Sequence, residues 1–222
     1  MQHSIDGGSL KFDYFSPDEK NRLSVFASAA NTDRDSYYGP GNDPLKAYGK
    51  TTDLTAMGGA QYVHTFDKCF FMPSDLTAGL EYNRDRLKDN MWGYNRHTDQ
   101  TVNIYSAFLQ NEWKNDRWGI LIGGRLDKHN MVDNVIFSPR ANLRFNPTQN
   151  INLRLSYSSG FRAPQAFDED MHIENVGGTV AMIERAKDLK EEKSQSFSVS
   201  ADMYHRFGAF QTNLLIEGFY TR

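Results

Sequence analysis

Strict two-residue alternation of apolar and polar side chains constrains this chain more than any other feature. In Ile151-Asn152-Leu153-Arg154-Leu155-Ser156-Tyr157-Ser158 the two kinds trade places without a fault, which is the period of a β-strand with one greasy and one wet face. Phe197, Val199, Ala201 and Met203 interleave in the same way with Ser196, Ser198, Ser200 and Asp202. The pattern recurs as Leu76, Ala78, Leu80, Tyr82 against Thr77, Gly79, Glu81, Asn83, and as Ala141, Leu143, Phe145 against Arg140, Asn142, Arg144. With weaker copies elsewhere, these segments predict about ten strands, near 10–15, 22–33, 50–65, 75–86, 100–113, 117–128, 136–146, 151–160, 192–205 and 209–221.

The connections alternate in length. Those over 16–21, 67–74, 114–116, 147–150 and 206–208 are short, while those over 34–49, 87–99, 129–135 and 161–191 are mostly longer. Short turns at one end and long loops at the other mark an antiparallel meander in the outer membrane, with turns in the periplasm and loops outside the cell. Phe15, Phe66, Phe70, Trp113, Trp118, Phe145 and Phe210 all fall near the short turns, where an aromatic girdle at the lower membrane interface belongs. The expected fold class is therefore all-β: an antiparallel meander of about ten strands forming a partial wall of a transmembrane β-barrel. A short helix is allowed within 180–190, which holds helix formers.

Composition agrees with a wall that meets lipid on every second residue. Hydrophobic residues are only 39% and mean hydropathy is −0.65, yet aromatics reach 13%. A net charge of −3 gives no reason to expect nucleic acid as a partner. The single Cys69 excludes an internal disulfide framework and a cysteine-based zinc cluster. No apolar run approaches the roughly 18 residues of a membrane-spanning helix. Residues 1–20 lack a basic start and apolar core, so no signal peptide is read, and an exported protein would have lost its beginning.

Ser138-Pro139-Arg140-Ala141-Asn142-Leu143-Arg144-Phe145, and Leu153 to Ser159 followed by Gly160-Phe161-Arg162-Ala163-Pro164, resemble the mid-barrel of TonB-dependent outer-membrane receptors. Gly160, Phe161, Arg162, Ala163 and Pro164 form one of that family's more specific signatures. The runs 107–113 and 122–127 are similar to its usual strands, and 165–170 resembles receptors from Bacteroidetes-type bacteria. The resemblance implies a 22-stranded barrel in the outer membrane of a Gram-negative bacterium, closed by an N-terminal plug and energised by the TonB complex. It implies import of a scarce small-molecule ligand, an iron-siderophore, haem, cobalamin or a glycan. No plug-like segment or TonB-contact motif is found, so residues 1–222 are expected to be a fragment of the barrel domain. Its partners would be outer-membrane lipid, the imported ligand and, through an absent N-terminal region, TonB.

Arg125, Arg140, Arg144, Arg154 and Glu217 sit at polar-face positions and are expected to face the lumen, because an arginine on lipid near the midplane costs about 2–4 kcal/mol. The loop aromatics Tyr37, Tyr38, Trp92 and Tyr94 are candidates for stacking on a flat or apolar ligand. The acidic loop residues Asp168, Glu169 and Asp170, with His172 and Glu174, could touch ligand or hold a hard cation. Their spacing does not match a calcium loop, and a solvated loop is the simpler reading. No Gly-x-Ser-x-Gly motif, phosphate loop or other catalytic constellation is present, so neither enzymatic activity nor a cofactor is expected. The alternative function is a soluble or surface-exposed β-sheet module that binds carbohydrate or protein.

Overall fold

The structure, a computed structural model, describes residues 2–37, 48–92, 96–165 and 190–222. Ten strands follow one another: β1 (Gln2–Phe15), β2 (Asn21–Tyr37), β3 (Tyr48–Cys69), β4 (Met72–Met91), β5 (Arg96–Lys114), β6 (Trp118–His129), β7 (Ile136–Thr148), β8 (Ile151–Arg162), β9 (Glu192–Phe207) and β10 (Phe210–Thr221). Each pairs antiparallel with its neighbours in sequence, giving one ten-stranded meander in the order β1 to β10. The sheet does not close, since β1 and β10 are not paired with each other.

Register carries one apolar face across the sheet. Leu80 faces Ala107, Ile122 faces Ala141, Leu143 faces Leu155, Leu155 faces Val199, and Ala201 faces Ile216. Leu80, Leu109, Ile122, Leu155, Val199 and Ile216 are all more than half exposed. The buried strand residues lie almost entirely on the opposite face, where Arg34, Asp89, Arg96, Asp127 and His129 are covered. A soluble sheet hides its greasy face and wets the other; this one is inverted, as a wall between hydrocarbon and an aqueous interior must be.

Several strands run past their expected ends: β3, β4, β7 and β9 by two to four residues at the short-turn end, and β1, β2, β4 and β5 by four to eight at the other. β1 begins at Gln2, although Ser4, Asp6, Gly7, Gly8 and Ser9 are poor strand formers, because each is paired along β2. The connection expected over 87–99 shrinks to 92–95, for Leu87 to Met91 and Arg96 to Asp99 are paired strand. In this extension the apolar phase reverses. Leu76, Ala78, Leu80 and Tyr82 share the apolar face, but beyond them Arg84, Arg86 and Lys88 continue it while Leu87, Met91 and Val102 are buried on the other.

The aromatic girdle also needs one correction. Trp118 stacks on Phe145 at 4.2 Å and Phe71 on Trp113 at 5.6 Å at the short-turn end of the apolar face. Phe15, however, faces Arg22 on the polar side, because its register neighbour Asp13 bonds Ser24 there; Phe12 and Tyr14 take the apolar positions of β1. Gly79 has a local reason on the polar face: a Cβ there would lie 2.3 Å from the Phe108 ring, so the missing side chain lets Phe108 lie flat across the strand.

Expressed alone, the 222-residue chain is expected to aggregate in plain buffer and disperse only in detergent, since two sheet edges and one apolar face are bare. Light scattering checks this; a monodisperse monomer without detergent would contradict the assignment of the apolar face to lipid.

Candidate functional site

Chemistry-bearing side chains gather on the polar face, in two tiers. The upper tier lies on the strand extensions near the long connections. Arg34 of β2 donates from its terminal Nη2 to the Thr51 hydroxyl at 3.0 Å, Thr51 of β3 donates to Asp89 Oδ1 at 2.7 Å, and Arg96 of β5 donates from Nε to Asp89 Oδ2 at 2.8 Å. All four are buried. Antiparallel register creates this row, for Arg34 faces Thr51, Thr51 faces Asp89, and Arg96 lies diagonally across from it.

The middle tier surrounds Arg125, which reaches Glu81 at 2.6 Å and Asp127 at 2.8 Å, while the Ser106 hydroxyl donates to Asp127 at 2.6 Å. Arg140 donates to Gln110 beside it. Glu81, Gln110, Arg125 and Arg140, together with Gln61 and Ser138, line a hollow of about 480 Å3. A neighbouring hollow of about 630 Å3 over β1 to β5 is lined by small side chains, among them Ser28, Ala30 and Thr55, with Met57 and Ile104. The polar face therefore offers charge in two places and a smooth, weakly polar surface between the strands.

Arg144 donates to the backbone carbonyls of Asn115 and Trp118, and Arg154 to the Asn152 side chain at 2.7 Å, both near the short turns. Glu217 faces Ser200 on β9. All five charged residues singled out in the sequence thus occupy the polar face, but they do not form one cluster. At the short-turn end, a hydrogen bond from the Ser16 hydroxyl holds the Asp18 carboxyl below its ordinary range, and the Asp67 carboxylate raises the Lys20 ammonium above its own. Lys20 so ties the β1–β2 turn to that of β3–β4.

Of the loop aromatics, Tyr37 ends β2 on the apolar-side face, edge-on to Tyr48 at 5.0 Å. Trp92 follows β4 directly and is exposed. Tyr38, Tyr94, Asp168, Glu169 and Asp170 lie outside the described residues, as do His172, Glu174 and residues 180–189 of the segment expected to hold a short helix. Among the described residues no group of three or more His, Cys, Asp or Glu side chains is placed to hold a metal ion.

The Gly160 to Pro164 motif closes β8. Proline cannot donate to a ladder, and the strand stops at Arg162. Phe161 and Ala163 then pack against Val132 of the β6–β7 connection and Ile136 at the start of β7. Next to them the buried His129 accepts the Met131 N–H at Nδ1, which leaves its Nε2 hydrogen to bond Gln165 at 3.0 Å. The motif's visible role is to fix the start of the long connection against the neighbouring one.

A family model described as the β-barrel of TonB-dependent receptor-like proteins matches residues 2–222. Among solved structures, the siderophore receptor PirA from Acinetobacter baumannii aligns with 16% identity over 99% of this chain and 42% of its own, with a TM-score of 0.66. The ferric-catecholate import receptor Fiu from K12 E. coli aligns with 10% identity over 99% and 40%, with a TM-score of 0.71. The FrpB iron transporter of Neisseria meningitidis, F3-3 variant, gives 14% identity over 98% and 35%, with a TM-score of 0.71. At such identities the likeness is one of fold, and the chain spans about two fifths or less of these receptors' length. No curated protein matches.

Proposed function

The chain belongs to the TonB-dependent receptor family, as part of the β-barrel, and from that premise we propose that it is one segment of the wall of an energy-coupled importer. Proteins of this family reside in the outer membrane of Gram-negative bacteria, and the inverted sheet suits that place. The open edges of β1 and β10 are met by further strands of a longer receptor, and the polar face lines its lumen and meets the plug. Energy comes from the TonB complex acting on the receptor's N-terminal region.

The ligand is scarce and too large for passive pores: an iron-siderophore, haem, cobalamin or a similar molecule. The observation that carries this reading is the inverted sheet, apolar on one face and charged on the other, in a chain of a receptor family. Trp92, Tyr38 and Tyr94 are the candidates for stacking on that ligand and Asp168, Glu169 and Asp170 the candidates for polar contact with it, whereas Tyr37 lies on the apolar face against Tyr48. Membership in a receptor family removes the ground for a free-standing soluble module.

Uptake of radiolabelled ferric siderophores, haem and cobalamin in cells with and without the gene tests the proposal. Deletion is expected to abolish accumulation of one ligand class, and a protonophore to abolish it equally in the parent cells. Unchanged accumulation of every class, or accumulation that survives the protonophore, would rule out energy-coupled import of these ligands.

A further inference from the structure

The ladder between β7 and β8 ends at Arg140 and Ser158, although both strands run on. Above that pair, residues 136–139 are laddered to β6 alone and residues 159–162 to β9 alone. Proline gives the break its cause. Asn146 donates its N–H to the Arg117 carbonyl at the foot of β6, so even-numbered residues of β7 turn their N–H toward β6 and odd-numbered ones toward β8. Pro139 therefore stands where the next donor to β8 belongs, and it has none to give. Side chains close the seam in place of rungs: Ile136 from β7 packs with Ala163 from beyond β8, and Phe161 lies against them.

The two sides of the seam differ. Outward it opens in the apolar face, where the exposed Phe137 faces Leu126 and, just below, Ala141 faces Tyr157. Inward it meets the hollow of about 480 Å3, which Ser138 and Pro139 line from one edge and Ser158 and Ser159 from the other. In that hollow Arg125 is held by Glu81 and Asp127, whereas Arg140 donates to the neutral Gln110 and pairs with no carboxylate among the described residues. Neither β7 nor β8 contains an Asp or a Glu. Hydrocarbon offers unladdered backbone no partner, so such edges persist at membrane depth only beside protein or water. We propose that the seam seats a single-chain anionic amphiphile, with its carboxylate on Arg140 in the hollow and its acyl chain passing between β7 and β8, past Phe161, into the lipid. A guanidinium gives a carboxylate two parallel hydrogen bonds, and the hydroxyls of Ser138, Ser158 and Ser159 suit the polar neck of such a molecule. The site rests on the reading of the apolar face as lipid-facing, and not on which ligand is imported.

Photolabelling of the purified full-length protein in phospholipid nanodiscs tests this, with an octadecanoic acid that carries a diazirine at mid-chain and with its methyl ester. The acid is expected to label residues 136–140 and 158–163 roughly ten-fold more than the ester does, the worth of one charge-assisted contact. The ester labels the lipid-facing strands alike. Arg140→Gln lowers the acid's labelling of the seam by the same roughly ten-fold factor, Arg140→Lys keeps it within a few-fold, and Lys68→Gln, at the short-turn end of β3, leaves it unchanged. Should Arg140→Gln fail to show the heat-modifiable band of a folded barrel, the ratio of acid to ester labelling in the parent protein decides alone. Equal labelling of the seam by acid and ester, acid labelling spread evenly over the apolar face, displacement by millimolar acetate, or full labelling of folded Arg140→Gln overturns the proposal. Absence of ester labelling from every strand would overturn the lipid-facing assignment along with it.

Discussion

Asp89→Ala in the full-length receptor is expected to cost about 3–5 kcal/mol of barrel stability, the range seen when one member of a buried ion pair is removed. Asp89 is the shared acceptor of Thr51 and Arg96, and Thr51 in turn accepts from Arg34. Without it the buried Thr51 hydroxyl and Arg96 guanidinium lose the carboxylate to which they donate. Asp99→Ala makes the control, since Asp99 is exposed, its partners Arg86 and Lys88 are half-buried and exposed respectively, and such surface pairs contribute about 0–1 kcal/mol. Reversible urea unfolding in lipid vesicles separates the two. Combining Asp89→Ala with Arg96→Met should cost less than the sum of the single changes, because the charge and its partner then leave together. A cost for Asp89→Ala no larger than for Asp99→Ala would mean that the upper tier is wet and not the buried network described.

Within the membrane the fold was legible because hydrocarbon makes demands that a sequence must answer residue by residue. Leu153, Leu155 and Tyr157 could only share a face, and register sets them beside Ala201, Val199 and Phe197. Above the membrane that demand lapses. Arg84, Arg86 and Lys88 alternate with Asp85, Leu87 and Asp89, polar residues fall on both faces, and from Leu87 the strand reads as a loop although its pairing continues to Met91. The signal was present in another form, for the apolar positions move from even to odd numbers between Tyr82 and Leu87, and from odd to even between Tyr105 and Val102. A phase change inside an unbroken strand is what crossing from lipid to water requires of a wall whose inner face is covered.

The candidate site was less legible than the wall. Arg125, Arg140, Arg144 and Arg154 could be assigned to the polar face by parity alone, but their partners could not, since Glu81 lies two strands away from Arg125. Arg34, Thr51, Asp89 and Arg96 come from four strands, and only the sums of three registers bring them into a row. Short-range patterns carry no information of that kind. Composition did not help either, because the tier's charge is submerged in a chain of near-neutral net charge.

Ile122→Arg is expected to destabilise the folded barrel by about 2–4 kcal/mol, while Leu121→Arg, one residue away, changes stability by about 1 kcal/mol or less. Both substitutions remove a similar aliphatic side chain from β6, so the loss of apolar surface is matched. Ile122 lies halfway between Trp118 and Leu126 on the apolar face, opposite Ala141 and more than half exposed. A guanidinium there must reach past hydrocarbon to find water. Leu121 faces Glu112 on β5 and Asn142 on β7, which offer an arginine a carboxylate and an amide on the wet side. Urea unfolding of the two variants in vesicles gives the comparison, and thicker bilayers should widen the gap, because Ile122 then lies deeper. Similar costs for both variants would show that neither face meets lipid, since a one-residue step exchanges the two faces completely.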